Sequence, residues 1–440
     1  MVHKKSFFLK TFLFFIFCFL FNTLSASAAI YYIAPTGSDV SGNGSITTPW
    51  ASIEKLSSVL QAGDTGYVRG GTYRSITPND ENKFKVNNLN GTPTNLIKIW
   101  AYPGEKPVFN LDNIPATQSG VGFYVSNSAY IHLKGLRVTG LKQCTSGCSV
   151  AGMILYRVDN SIVELFEIDN IEGYGLYLQG PQNPGGDGSD NNLIKNVDVH
   201  HIGDRYSGWG GANGFNITGG DLSNNNVFDG CRIWWSSDDG FDFFGTNIYA
   251  TIKNSWSFWN GYVPGTFNTA GDGYGFKLGP AGNNPPYNEL KRVLTNNLAF
   301  ENRIGGFDQN SGTDNTMRYR LHNNTSFGNG QFSYFFGANT SIPQDFKNNI
   351  AVGGSINGNE ILSGPNVANN SWNGNVTANN SDFVSISARS NPNCLLATVT
   401  DTNCPNGPRQ ADGSLPDMNF LKLTSTSDLI NAGTNVGLPF

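Results

Sequence analysis

The tightest constraint on this chain is a pair of short motifs that return along it. One series of five-residue segments runs Asn196–His200, Gly230–Trp234, Asn254–Phe258, Asn296–Phe300, Asn323–Phe327 and Asn348–Val352. A second threads between them as Gly214-Phe215-Asn216, Gly240-Phe241-Asp242, Gly275-Phe276-Lys277 and Gly306-Phe307-Asp308, in steps of 26, 35 and 31 residues. A unit of about 25 residues with several short strands cannot bury a core of its own. Stacked units can, because each strand then pairs in parallel with its equivalent in the next coil. Inward Phe and Val form apolar ladders, and Asn at repeated turn positions forms stacked side-chain hydrogen bonds. The expected fold is all-β: a right-handed parallel β-helix. The steps are shorter and less regular than the blades of a propeller, which need about 40 residues each.

Composition agrees with stacked turns. Of 440 residues 53 are Gly, and only 14% are charged. The one convincing amphipathic helix spans Trp50 to Gln61, with Ile53, Leu56, Val59 and Leu60 on one face and Gly63 beyond its end. It is expected to cap the open N-terminal end of the stack, where an uncovered edge invites aggregation. The opening residues read as a secretory signal: Lys4 and Lys5, an apolar run from Phe7 to Phe21, then Ala26-Ser27-Ala28. Residues 1–28 are thus expected to be a leader, 29–380 the β-helix, and 381–440 a tail packed on it. The mature protein is expected to be secreted (extracellular or periplasmic), monomeric and without a membrane span. A net charge of −5 gives no basic field, which argues against nucleic acid as a partner. Cys144 with Cys148 and Cys394 with Cys404 can pair in an oxidising compartment, whereas Cys231 lies in an apolar run and is expected to be a buried thiol.

The repeat also places chemistry. Equivalent positions on adjacent coils lie about 4.8 Å apart. Aligning the Gly-Phe units puts Asn213, Asp239, Tyr274 and Gly305 in one column and Asn216, Asp242, Lys277 and Asp308 in another. Asp238, Asp239 and Asp242 fall within five residues, and no Lys or Arg occurs from Ile233 to Ile252. Converging carboxylates repel unless protonated or bridged by a cation. An all-oxygen set, with the Asn213 amide from the coil below, suits a hard ion such as Ca²⁺. Lys277 is the one basic residue between Asn254 and Leu290, and it stands between Gly275 and Gly279, which can leave a ligand room to approach. The stretches Ile202–Asn213 and Asn260–Tyr274 are long for this repeat and hold Tyr206, Trp209, Tyr262 and Phe267, residues able to stack on sugar rings. A metal, a lysine and an open groove suit β-elimination of a uronate: the metal stabilises charge as the C5 proton leaves for a neutral amine.

The segments Ser236-Ser237-Asp238-Asp239-Gly240-Phe241-Asp242 and Gly275-Phe276-Lys277-Leu278-Gly279, with the Asn-rich repeats, resemble the family 9 polysaccharide lyases, the pectate-lyase-type β-helices. The closing run Arg409 to Pro416 also resembles the tails of that family. The resemblance implies a catalytic Lys277, a calcium site at Asp238, Asp239 and Asp242, and an acidic polysaccharide as partner, with pectate or polygalacturonate foremost. The fourth aspartate of the family pattern stands here as Asn213, which keeps an oxygen and loses a charge. Asp308, Gln309 and Asn310 also look family-like, on the substrate side. Two other readings compete. One is a β-helix hydrolase using Asp238 and Asp239 as acid and base. The other is a non-catalytic surface β-helix that binds glycans.

Overall fold

The computed structural model describes residues 28–438 apart from 119, 181–186, 218–222, 247, 280–288, 311–316, 338–341, 387 and 397. The expected leader at 1–28 lies almost wholly outside the described residues. Three parallel sheets wind around one axis. A 12-stranded sheet runs from Ile30–Ile33 to Val367–Ala368. A ten-stranded sheet, here the tail sheet, runs from Gly71–Tyr73 to Ile350–Val352. A second ten-stranded sheet, the site sheet, runs from Asn82–Asn87 to Ser355–Asn357. Each coil contributes a strand to each sheet in turn, as the repeat requires. No helix among the described residues is long and apolar enough to cross a membrane.

The repeated residues do distinct physical work. The first residue of each five-residue segment turns the chain with positive φ: Asn196 (53°), Gly230 (68°), Asn254 (53°), Asn296 (57°), Asn323 (57°) and Asn348 (58°). Asn and Gly tolerate that left-handed region best. The next residue builds a buried ladder. Asn297 Nδ2 donates to Asn324 Oδ1 (2.9 Å), Asn324 to Asn349 (3.0 Å) and Asn349 to Asn370 (2.8 Å), and each acceptor also takes the backbone N–H of the residue below. Inside the site sheet, Phe215, Phe241, Phe276, Phe307 and Tyr334 stack with ring centres 4.5–5.0 Å apart.

Three expectations need correction. The helix covers only Ile53–Ser57. Ser52 caps its start, but Asp64 Oδ2 accepts the Gln61 N–H and turns the chain early. Glu54 and Ser57 accept the N–H groups of Lys85 and Asn87 on the edge strand of the site sheet. Secondly, not all the aromatic ladders point inward. Trp234, Phe258 and Phe300 stack on the outer face of the tail sheet, and Phe383, Met418 and Phe420 from the C-terminal segment bury them. Arg409 and Arg232 fasten that segment: both grip Asp198, and Arg232 also donates to the carbonyls of Pro405 and Gly407. Burial alone would raise the Asp198 pKa, but the two guanidiniums hold it well below the usual range. Thirdly, Gly275 and Gly279 serve packing rather than ligand access. A Cβ on Gly275 would lie 2.8 Å from Asn302 Nδ2, and Gly279 has φ +78° against the Phe243 carbonyl. Cys144–Cys148 and Cys394–Cys404 are paired, and Cys231 is a buried free thiol.

Because each ladder amide serves two neighbours, Asn324→Ala is expected to lower stability by about 2 kcal/mol, the cost of leaving buried donors unmatched. Urea denaturation monitored by near-ultraviolet circular dichroism measures it.

Candidate active site

Glycine, phenylalanine and a polar residue make up each rung of the site. A Cβ on Gly240 would lie 2.1 Å from Ser257 Oγ, and one on Gly306 would lie 2.4 Å from Ser326 Oγ, so only Gly fits the tight bend between sheets. The Phe then turns inward and the third residue outward. Strand register pairs Asn216 with Asp242, Asp242 with Lys277, and Lys277 with Asp308. Backbone bonds from Gly214 to Asp239 and from Gly240 to Tyr274 align the companion column of Asn213, Asp239 and Tyr274. Both columns form as the repeat requires.

The side chains of adjacent rungs meet. Lys277 Nζ donates to Asp239 Oδ2 at 2.7 Å and lies 3.6 Å from Asp272. Asp239 Oδ1 accepts the Tyr274 N–H, and Asp238 Oδ1 accepts the Asp272 N–H. Asp242 accepts from the Phe244 N–H and from Asn213 Nδ2 (2.7 Å). Asn213 Oδ1 takes the Asp239 N–H at 3.1 Å. Asn213 therefore clamps two of the aspartates, with its amide nitrogen toward Asp242. On the far side of Lys277, Asp308 is buried, and its Oδ1 has no hydrogen-bond partner among the described residues. Gln309 is fully buried and holds the Gly337 N–H, and Asn310 makes a left-handed turn at φ 62°.

Two residues escaped the sequence reading. Asp272 lies in the loop Asn260–Tyr274, outside the repeat, so no register assigned it a place. Its side chain is 63% exposed, and its carboxylate gathers with those of Asp238 and Asp239 within 4.8 Å. Phe244, 57% exposed, places its ring 5.9 Å from Lys277 Nζ. Its proximity to Asp242 was the available signal. Of the loop aromatics, Tyr262 and Phe267 turn to packing instead. Tyr262 and Phe267 pack together, Phe267 against Trp235 and Trp259, and Arg389 lies 3.6 Å over Phe267.

Charge at the site is under tension. Burial, then the neighbouring Asp239, pushes Asp238 up to about 8 and Asp242 up to about 7. Burial raises Asp239 too, against the pull of Lys277. Burial pushes Asp308 up to about 7. For Lys277, burial favours the neutral amine, but Asp239 and Asp242 outweigh it and raise the pKa above the ordinary lysine range. Three converging carboxylates with only oxygen donors fit a hard divalent cation such as Ca²⁺, which would also relieve their mutual repulsion.

Free carboxyls titrate near about 4, so the unfolded chain releases these protons before the folded site does. Without a cation, stability should therefore fall as pH rises from about 4 to about 8. Melting curves in chelator are expected to show this decline, and added Ca²⁺ should raise the midpoint more at the top of that range than at the bottom. A midpoint independent of both would contradict the site.

A family model described as "Pel9A-like, right handed beta helix region" matches residues 31–350. Pectate lyase L of Dickeya chrysanthemi is 31% identical over 412 residues, covering 92% of this chain and 86% of that protein. Pectate lyase L of Paenibacillus polymyxa (strain SC2) is 32% identical over 431 residues, covering 93% and 85%. Among solved structures, pectate lyase Pel9A superposes with a TM-score of 0.74 at 27% identity, covering 94% of both chains. A rhamnogalacturonan lyase superposes with a TM-score of 0.70 at 27% identity, covering 90% of this chain and 97% of that one.

Proposed function

The chain belongs to the family of Pel9A-like right-handed β-helix proteins, and from that premise we propose that it cleaves pectate or polygalacturonate by calcium-assisted β-elimination, with Lys277 as the base. That it is a polysaccharide lyase follows from its relatives, which are pectate lyases along almost their whole length, and from the Pel9A and rhamnogalacturonan lyase structures. The hydrolase and the non-catalytic readings give way to that kinship. A leader at residues 1–28 and release from the cell complete the proposal.

One observation carries the mechanism: the lone amine of Lys277 stands over Asp242 and touches Asp239 on the outer face of the site sheet. A calcium ion held by Asp238, Asp239 and Asp272, with Asp242 and Asn213 supporting them, would bind the substrate carboxylate and stabilise negative charge beside C5. The chain's own residues do the rest. Asp239 fixes the position of Lys277 Nζ, and Tyr274 N–H and Asn213 fix Asp239 and Asp242 in turn. Lys277, once neutral, takes the C5 proton. The C5–H electron pair forms the C4=C5 bond, and the C4–O pair leaves on the departing sugar's oxygen, which takes a proton from solvent water. The new chain end is a 4,5-unsaturated uronate. Phe244 offers an exposed ring beside the amine for the sugar being cleaved.

Removing a general base typically costs 10²–10⁴-fold, so Lys277→Ala is expected to lower kcat on polygalacturonate about a thousandfold while far-ultraviolet circular dichroism still shows the folded β-helix. Lys277→Arg should be equally inactive, because a guanidinium stays protonated. The ultraviolet absorbance of the unsaturated product measures both. Turnover within a few-fold of the parent in Lys277→Ala would remove the base from the mechanism.

A further inference from the structure

The outer column that holds Asp242, Lys277 and Asp308 continues toward the N-terminal coils. Register carries it from Asn216 to Tyr177, then Ile154, then Tyr124. The companion column continues from Asn213 to Tyr174, with the Gly175 N–H on the Asn213 carbonyl. Four tyrosines meet on this stretch. The rings of Tyr174 and Tyr177 lie 5.7 Å apart, and those of Tyr124 and Tyr156 stack at 6.2 Å. All four are half-buried and pack on Val121, Ala151 and Ile154, a small apolar cluster on the outside of the coil, separate from the interior core.

We infer that Tyr124, Tyr156, Tyr174 and Tyr177 form a distal binding site for sugar rings of the same glycan that is cut at Lys277. The inference rests on the lyase reading above and extends it to chain length. The occupant follows from continuity and chemistry. Tyr124, Tyr174 and Tyr177 belong to the same two outward columns as the catalytic rungs, and Tyr156, two residues further along its strand, stacks beside Tyr124, so a polymer lying along the helix axis over Lys277 runs onto them. Tyr177 is three rungs from Lys277 and Tyr124 is five, or about 14 and 24 Å at the spacing of paired strands. Pyranose rings present C–H faces that stack on aromatic rings, and phenol hydroxyls can meet their rim of oxygens. Acidic groups on these two columns sit at Asp239, Asp242 and Asp308, whereas Asn216, Tyr177, Ile154 and Tyr124 are uncharged; Glu81 near Tyr124 and Asp204 near Tyr174 lie off the two columns. The enzyme is therefore built to hold a long chain and cut within it.

The test compares polygalacturonate with trigalacturonate, which is too short to reach from Lys277 to Tyr124. In the full-length Tyr124→Ala/Tyr177→Ala variant, the ratio of kcat/KM on polymer to that on trimer is expected to fall about tenfold, through KM. The Tyr124→Phe/Tyr177→Phe variant keeps the rings and should restore the ratio, which separates loss of stacking from loss of fold. An unchanged ratio in the alanine variant would overturn the inference. Binding of Lys277→Ala protein to polygalacturonate, with and without the two tyrosines, separates this inference from the lyase reading. Tyrosine-dependent binding, with the unsubstituted enzyme forming no unsaturated product, would sink the lyase reading alone. Binding indifferent to the tyrosines would sink the distal site alone.

Discussion

Parallel pairing of one coil with the next is the constraint on which everything else depends. It holds equivalent residues a single strand spacing apart, whatever the length of the loops between them. Steps of 26, 35 and 31 residues thus deliver Asn216, Asp242, Lys277 and Asp308 to one column. The extra residues go into loops, and one of those loops returns Asp272 to the same place. The interior Phe stack and the Asn ladders secure the register, because a slip of one residue would turn every Phe out and every polar side chain in.

That rigidity is put to use electrostatically. Three buried carboxyls, the exposed Asp272 and a buried amine lie side by side, and they raise or lower one another's affinity for protons. Left alone, the aspartates keep Lys277 protonated, the wrong state for a base. In the proposed mechanism a divalent cation held by the same carboxylates would compete with the ammonium for their negative charge and favour the neutral amine. Metal binding and activation of the base would then be one event.

The solenoid was legible because its signal is repetition, which does not depend on loop length. The αL turns showed as Asn or Gly at the head of each five-residue segment, and the inward ring as the Phe after each Gly. Lys277 beside the aspartates followed from the same alignment. What escaped was everything off the repeat. Asp272 sits between two glycines in a long loop that lies outside the aligned triplets. Phe244 lies just past the aligned triplet. The outward aromatic ladder at Trp234, Phe258 and Phe300 looked like core because the chain that covers it arrives more than 80 residues later. The helix was overextended because apolar spacing cannot register the competing turn that Asp64 closes. Only the structure shows that Asn213 spends its oxygen on the Asp239 N–H.

The coupling of metal to base is tested most directly by titrating the Lys277 amine itself, by NMR of the ε-labelled lysine, first in chelator and then with saturating Ca²⁺. In chelator the amine should hold its proton beyond the normal lysine range, and calcium should bring the midpoint down toward neutrality. An amine that titrates as an ordinary surface lysine in both conditions would show that the rungs do not unite base and acids, and the mechanism built on their union would fall.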